Sequence, residues 1–288
     1  MTNLIKTYLL DLTTRYHRNI SVYSDSFLQN SINYRKRSLE IENEEEYFNY
    51  LMVNEAEADL LIDKLTNSYS EFFRNPLTFA YLEKIILPQL IERKKARNEK
   101  EIRIWSCACA SGQEVYSLAI LADELMKSYC ADITFRIFAT DISAKELLNA
   151  KNGVYNQVTL ENVTLKRIQT YFTKEGEAYI VDARLKEYID FSEFDLLSNQ
   201  ECCPPASVYG NFDLVFCSNL LFYYKSEYQE FILNKAGNCL AQGGYLVTSE
   251  TERDIVKEKY YREVFNNSAI FQKREIAISP GPLQTENV

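Results

Sequence analysis

The chain is poor in the residues that most often declare a mechanism. Its 288 residues include one histidine, His17, one tryptophan, three methionines, eight glycines and six prolines. With a single histidine and no cysteine pair at C-x-x-C spacing, no metal site is expected. The seven cysteines (Cys107, Cys109, Cys130, Cys202, Cys203, Cys217 and Cys239) are odd in number. Several sit in apolar runs, where a free thiol behaves as a small hydrophobe. No apolar stretch reaches the ~18 residues that span a bilayer, and the first residues lack a basic segment followed by an apolar core and a cleavage site. A reduced, cytoplasmic protein with no membrane insertion is expected. Positive charge is scarce too: 32 Lys and Arg against 41 Asp and Glu leave a net charge of −9. Phosphate attraction supplies non-specific nucleic-acid affinity, so no nucleic-acid partner is expected.

What is present is a soluble globular composition, 46% apolar and 25% charged, long enough for one large domain or two ordinary ones. Residues 1–66 place apolar side chains at three- and four-residue spacings and contain no glycine or proline, which predicts an N-terminal all-helical domain. Its charges are 7 basic against 11 acidic, and the cluster Arg35-Lys36-Arg37 reads as a solvated helix face. From 67 to 280 the pattern changes. The apolar runs 101–108, 133–141, 211–219 and 243–250 alternate with helical segments at 114–128, 143–151 and 226–241, as in a parallel sheet covered on both faces. Between them, "AYIVDARL" and "EYIDFSEF" read as a pair after a helix, forming a small antiparallel β-subdomain or added strands at about 155–190. The polar stretch 281–288 reads as a flexible tail.

Four stretches carry candidate chemistry. "IWSCACASGQEVYSLAI" (104–120) is strand, turn and helix with one glycine, Gly112. Ser111 and Glu114 fit a capping box, and the same helix start beside Gly112 could let a ligand approach closely. Asp141 ends the next strand, 29 residues after Gly112, where ribose-binding acids sit in dinucleotide-type folds. It could equally belong to the helix start at Ser143 and Glu146. The turn and this Asp together suit dehydrogenases and S-adenosylmethionine-dependent methyltransferases alike. In "SYSEFFRNP" (68–76), Arg74 is either a surface residue of a packed hinge or a rigid fork for a carboxylate. In "FCSNLLFYY" (216–224), Asn219 closes a strand and can meet a ligand or simply terminate it.

Taken together, "FFRNP", "IWSCACASGQEVYS", "FATDIS", "NGVY", "DLL", "FDLVFCSNLLFYY" and "GGYL" occur in the order found in the CheR-type protein-glutamate O-methyltransferases, and the chain resembles that family from about residue 20 to 255. The resemblance implies an α/β fold: a Rossmann-like methyltransferase domain with a small antiparallel β-subdomain and an N-terminal helical domain. It implies S-adenosylmethionine as cofactor, with Glu114, Asp141, Asp195, Leu196, Asn219 and Leu220 lining its site. Ser68 and Ser70 would lie beside the methionine moiety, and Arg74 and Tyr223 near the reacting centre. The expected partner is the cytoplasmic domain of a chemoreceptor or a related acidic helical protein, and the expected state is a monomer. The chain departs from the family pattern at Gln113, at Asp195, at Ser218 and at Ser249-Glu250-Thr251-Glu252, where the family has GHSE. Its helical domain is acidic where the family's is often basic. Methylation of another acidic protein or small acid, and a non-catalytic cofactor-binding module, are the alternatives.

Overall fold

The computed structural model describes residues 8, 10, 12–14, 19–66, 69–129, 132–257 and 261–273. His17, Ser68 and the 281–288 tail lie outside them. The N-terminal helices with described bounds include α1 (Asp25–Ser38), α2 (Glu44–Val53) and α3 (Glu55–Thr66). The Ser24 hydroxyl caps α1 and the Asn43 side chain caps α2, whose first turn holds Glu44, Glu45 and Glu46, a favourable match to the helix dipole. Tyr47, Phe48, Leu51, Leu61, Leu28 and Ile32 form a separate small core. Within it Arg35 is not a solvated cation. Its guanidinium donates to both oxygens of buried Glu57 at 2.9 and 2.6 Å, and the Tyr47 hydroxyl adds a third bond at 2.9 Å.

The next helix is continuous from α4 (Pro76–Tyr81) through a π turn (Leu82–Ile86) into α5 (Leu87–Ala96). Pro88 has no N–H to give the preceding turn, and the helix widens just ahead of it. The sheet follows, with β1 (Glu101–Ser106), β2 (Thr134–Asp141), β6 (Ile189–Glu193), β7 (Phe212–Phe216), β8 (Leu240–Val247), β9 (Tyr261–Glu263) and β10 (Ile270–Lys273) in the order β6-β2-β1-β7-β8-β10-β9. β6, β2, β1, β7 and β8 run parallel, and β10 is antiparallel to both its neighbours. Helices α6 (Gln113–Tyr129), α7 (Ala144–Asn152) and α10 (Ser226–Cys239) connect the parallel strands. Two buried clusters cover the sheet, one including Ile104, Leu118, Ile137 and Leu214, the other Trp105, Phe138, Phe212 and Ile232.

A second sheet, in the order β3-β5-β4, is antiparallel and built from β3 (Val154–Asn156), β4 (Phe172–Glu175) and β5 (Ala178–Val181), with α8 (Leu165–Tyr171) between its first two strands. Here the expected pairing is corrected. "AYIV" is β5 and pairs with β3 and β4, whereas "IDFSE" is β6 and joins the main sheet parallel to β2. The short helix α9 (Ala183–Lys186) separates the two runs, and each pairs in a different sheet.

Candidate active site

β1 lies between β2 and β7, so the chain leaves it in one direction and returns on its other side. A crevice opens at such a switch point, beyond the carboxyl ends of the strands. The apolar runs 101–108, 211–219 and 243–250 were expected to be strand throughout, yet the strands end at Ser106, Phe216 and Val247. The remaining residues form partly buried loops around this crevice. The first is the most tightly held. Cys107 N donates to Phe216 O, Cys109 N to Thr140 O and Gly112 N to Cys109 O, each at 2.9 Å, and the Tyr155 hydroxyl donates to Ser111 O at 2.6 Å.

Asp141 fastens the loop from below. Its Oδ2 accepts from Ala110 N and its Oδ1 from Ser143 N, both at 2.9 Å. This carboxylate is only 6% exposed yet lines the cleft. Glu114, one residue into α6, does not complete the expected capping box. It accepts from the Ser106 hydroxyl at 2.8 Å and lines the cleft, while the Ser111 hydroxyl donates to the Gln113 side chain. Burial pushes the Glu114 carboxyl up to about 7. The Ser106 bond and Arg74 oppose that rise, and Glu252 adds to it. Gly112 does not serve ligand approach. Its φ is +94°, and an added Cβ would stand 2.9 Å from the Ala150 Cβ and 3.1 Å from the Tyr155 hydroxyl, so the bare position packs against α7.

Arg74 enters the cleft from the connection between the helical domain and the sheet domain, with Ser70 beside it. Its guanidinium donates to Tyr69 O at 3.0 Å and sits 5.7 Å from the centre of the Tyr69 ring. After β6, Asp195 turns the chain by accepting from Leu197 N at 2.8 Å, and buried Leu196 forms part of the wall. After β7, Asn219 takes a left-handed φ of +58°, and a 3-10 turn (Leu221–Tyr223) follows. Asn219, Leu220 and Tyr223 all line the cleft. Burial raises the Tyr223 phenol, Arg74 opposes this and Glu252 reinforces it. Cys107 also lines the cleft, but burial holds its thiol well above the usual range, which leaves it protonated and a poor nucleophile.

Every expected site residue except Ser68, outside the described residues, therefore meets in one cleft. Helical-domain residues share it. Tyr23, Leu65 and Thr66 line its edge, the Tyr23 ring stacks on Tyr224 at 5.4 Å, and Ser24 N donates to Tyr223 O at 2.8 Å. Sequence reasoning gave Glu252 no role, although it stands where the family's GHSE ends in Glu. Its capping box, Ser249-x-x-Glu252, is present in the structure and gives no hint of the distant loop the same carboxylate holds.

Residues 68–270 match the family described as CheR methyltransferase, SAM binding domain. The chain is 34% identical over 198 residues to Chemotaxis protein methyltransferase 1 of Pseudomonas aeruginosa, covering 67% of this chain and 69% of that protein. It is 33% identical over 214 residues to a probable chemotaxis protein methyltransferase of Rhizobium etli, covering 73% and 75%. The Chemotaxis protein methyltransferase of Escherichia coli is 32% identical over 225 residues, covering 76% and 73%. A Rossmann-like sheet domain with an added antiparallel sheet, and a family match over most of its length, lead to one assignment: the chain belongs to the CheR family of S-adenosylmethionine-dependent chemotaxis methyltransferases.

Proposed function

We propose that the enzyme works in the cytoplasm as a monomer and methylates glutamate side-chain carboxylates in the cytoplasmic domains of chemoreceptors, forming glutamyl methyl esters. The observation that supports this best is the meeting of Arg74, Glu114, Asp141, Asn219 and Tyr223 in one cleft. Their chemistry suits the cofactor. Asp141, fixed by two backbone amides, offers acceptors for ribose hydroxyls. Glu114 offers a buried acid for a cationic group, and Arg74 a planar fork for the cofactor's carboxylate. Phe194, Leu196 and Ile142 provide an apolar wall for the adenine, with Asp195 at its edge.

When bound, S-adenosylmethionine supplies a methyl group activated on a sulfonium. A substrate glutamate, with an ordinary pKa of ~4.3, arrives already ionised, so the chain needs no general base. Its work is orientation and the exclusion of water. Tyr223, a phenol protonated at neutral pH whose pKa burial raises further, donates a hydrogen bond that aims the incoming carboxylate. Arg74 stays on the cofactor side, because a tight clamp on the nucleophile would lower its reactivity. The test compares a receptor cytoplasmic fragment with one whose candidate glutamates are changed to glutamine. Methyl incorporation into the first alone is expected, and equal incorporation into both would refute the proposal.

A further inference from the structure

Past β8 the chain enters a 3-10 turn (Glu250–Glu252), and the Glu252 side chain is completely buried, 0% exposed. A buried carboxylate is tolerated only where hydrogen bonds replace its water. Glu252 has six. Its Oε2 accepts from the Thr248 hydroxyl at 2.8 Å and from Ser249 N and Oγ at 3.1 and 2.8 Å. Those three are local. The other three are consecutive main-chain amides of the loop leaving β7: Asn219 N to Oε2 at 2.8 Å, and Leu220 N and Leu221 N to Oε1 at 2.7 and 2.6 Å.

Three successive N–H groups converge on one carboxylate only if the backbone curls. The left-handed Asn219 supplies that curl, in a conformation asparagine tolerates better than most residues. The same loop carries Asn219 and Leu220 into the cleft and continues directly into Tyr223 and Tyr224, whose amides donate to Leu220 O and Leu221 O at 3.3 and 3.0 Å. None of the six donors is a cation, so the charge of Glu252 is not cancelled locally. It is felt at the cleft, where it pushes up both Glu114 and Tyr223.

We propose that Glu252 is a positioning residue for methyl transfer: by holding the amides of 219–221 it sets the cofactor wall formed by Asn219 and Leu220 and the stance of Tyr223. This rests on the cleft being the cofactor and substrate site described above. The test uses the full-length enzyme and the variants Glu252→Gln and Glu252→Asp. A glutamine fills the same space but lacks the charge, and its NH2 group cannot accept from the amides it would face. Hydrogen–deuterium exchange should then show the 219–221 amides at least about tenfold faster in Glu252→Gln, with exchange in α1–α3 and β1 unchanged. Calorimetry with S-adenosylhomocysteine should show about tenfold weaker binding, and kcat should fall further than KM for the receptor fragment rises. Glu252→Asp, which keeps the charge, should recover part of each loss.

A folded Glu252→Gln enzyme with wild-type loop exchange and cofactor affinity would overturn the proposal. So would exchange that rises evenly throughout the molecule with affinity per folded molecule unchanged, the mark of a merely structural residue. Should Glu252→Gln fail to fold, Thr248→Val removes one donor and keeps the charge. Faster exchange confined to 219–221 would support the proposal, and wild-type exchange there would overturn it. If the wild-type enzyme methylated no receptor, the proposed substrate would fall, while loop exchange and cofactor affinity would still decide the role of Glu252.

Discussion

Arg74 reaches the cleft from a loop whose backbone is bent on both sides of it. Phe73 and Asn75 have φ values of +49° and +61°, a region non-glycine residues enter at a cost. Packing offsets that cost. Phe72 is fully buried edge-on against Tyr155 and Phe172, Phe73 meets Phe79 and lies under the Arg167 guanidinium at 4.6 Å, and Phe73 N donates to the Ser117 hydroxyl at 2.9 Å. The phenylalanines are the foundation, and Arg74 is the part presented. Arg74→Ala should therefore lower kcat/KM for methyl transfer by about a hundredfold or more. Its melting temperature should stay within about 3 °C of wild type, since a half-exposed side chain away from the core costs little stability. Near-normal turnover would mean that Arg74 is outside the reacting centre. Glu114 makes a prediction in pH. Its folded value of about 7 lies above the ordinary 4.5, so the folded state holds an extra proton between the two. The stability this contributes is present below about 4.5 and lost as pH rises through about 7, on the order of 3 kcal/mol. Urea unfolding from pH 5 to 8 should show this decline in the cofactor-free enzyme and not in Glu114→Gln. Cofactor affinity should instead strengthen over the same range, because a cationic ligand prefers the ionised carboxyl. A flat affinity profile would contradict that role.

Among the elements, the strand–helix rhythm was readable because strands buried on both faces are continuously apolar, as in β7, where all five residues are buried. The same property blurred the strand ends, since the site loops beyond Ser106, Phe216 and Val247 each begin with a buried residue, Cys107, Cys217 and Thr248. Periodicity also could not say which sheet "EYIDFSEF" would join, because partner choice depends on where α9 sends the chain. Gly112 is the clearest case of a residue found by pattern and explained by packing. Its scarcity value suggested ligand approach, yet its open side faces Ala150 and Tyr155. Gly112→Ala should cost about 1–3 kcal/mol in chemical denaturation, from the positive φ and the 2.9 Å contact together. An unchanged midpoint would show that α7 can yield there. Arg35 taught the opposite lesson. A basic cluster in sequence looks solvated, and only the fold reveals Glu57 beneath it.

For the whole molecule, the helical domain and the sheet domain meet beside the cleft, at the loop that carries Tyr223 and Tyr224. Phe27 packs on Tyr223 at 4.6 Å, Tyr23 stacks on Tyr224, and Lys225 Nζ donates to Ser21 O at 2.7 Å. The helices thus support the loop that carries Tyr223. Phe27→Ala should lower kcat more than it weakens S-adenosylhomocysteine binding, at a stability cost of about 1–3 kcal/mol. Equal losses in both would place Phe27 under the cofactor wall instead. Among the described residues, no helix is long and apolar enough to cross a membrane. The family, the cofactor and the residues of the cleft were legible because seven short motifs stood in order. The role of Glu252 was not, because the three amides it holds lie about thirty residues earlier, and its place at the end of the segment aligned with GHSE does not say which loop it meets. The proposed reaction in this cleft is the esterification of glutamate carboxylates on receptor helices. It is tested most directly by incubating the enzyme with methyl-labelled S-adenosylmethionine and a chemoreceptor cytoplasmic domain, then treating the protein with mild alkali. Label bound to the receptor and released as volatile methanol is the expected result; label that stays on the protein through alkali, or never reaches the receptor, would contradict it.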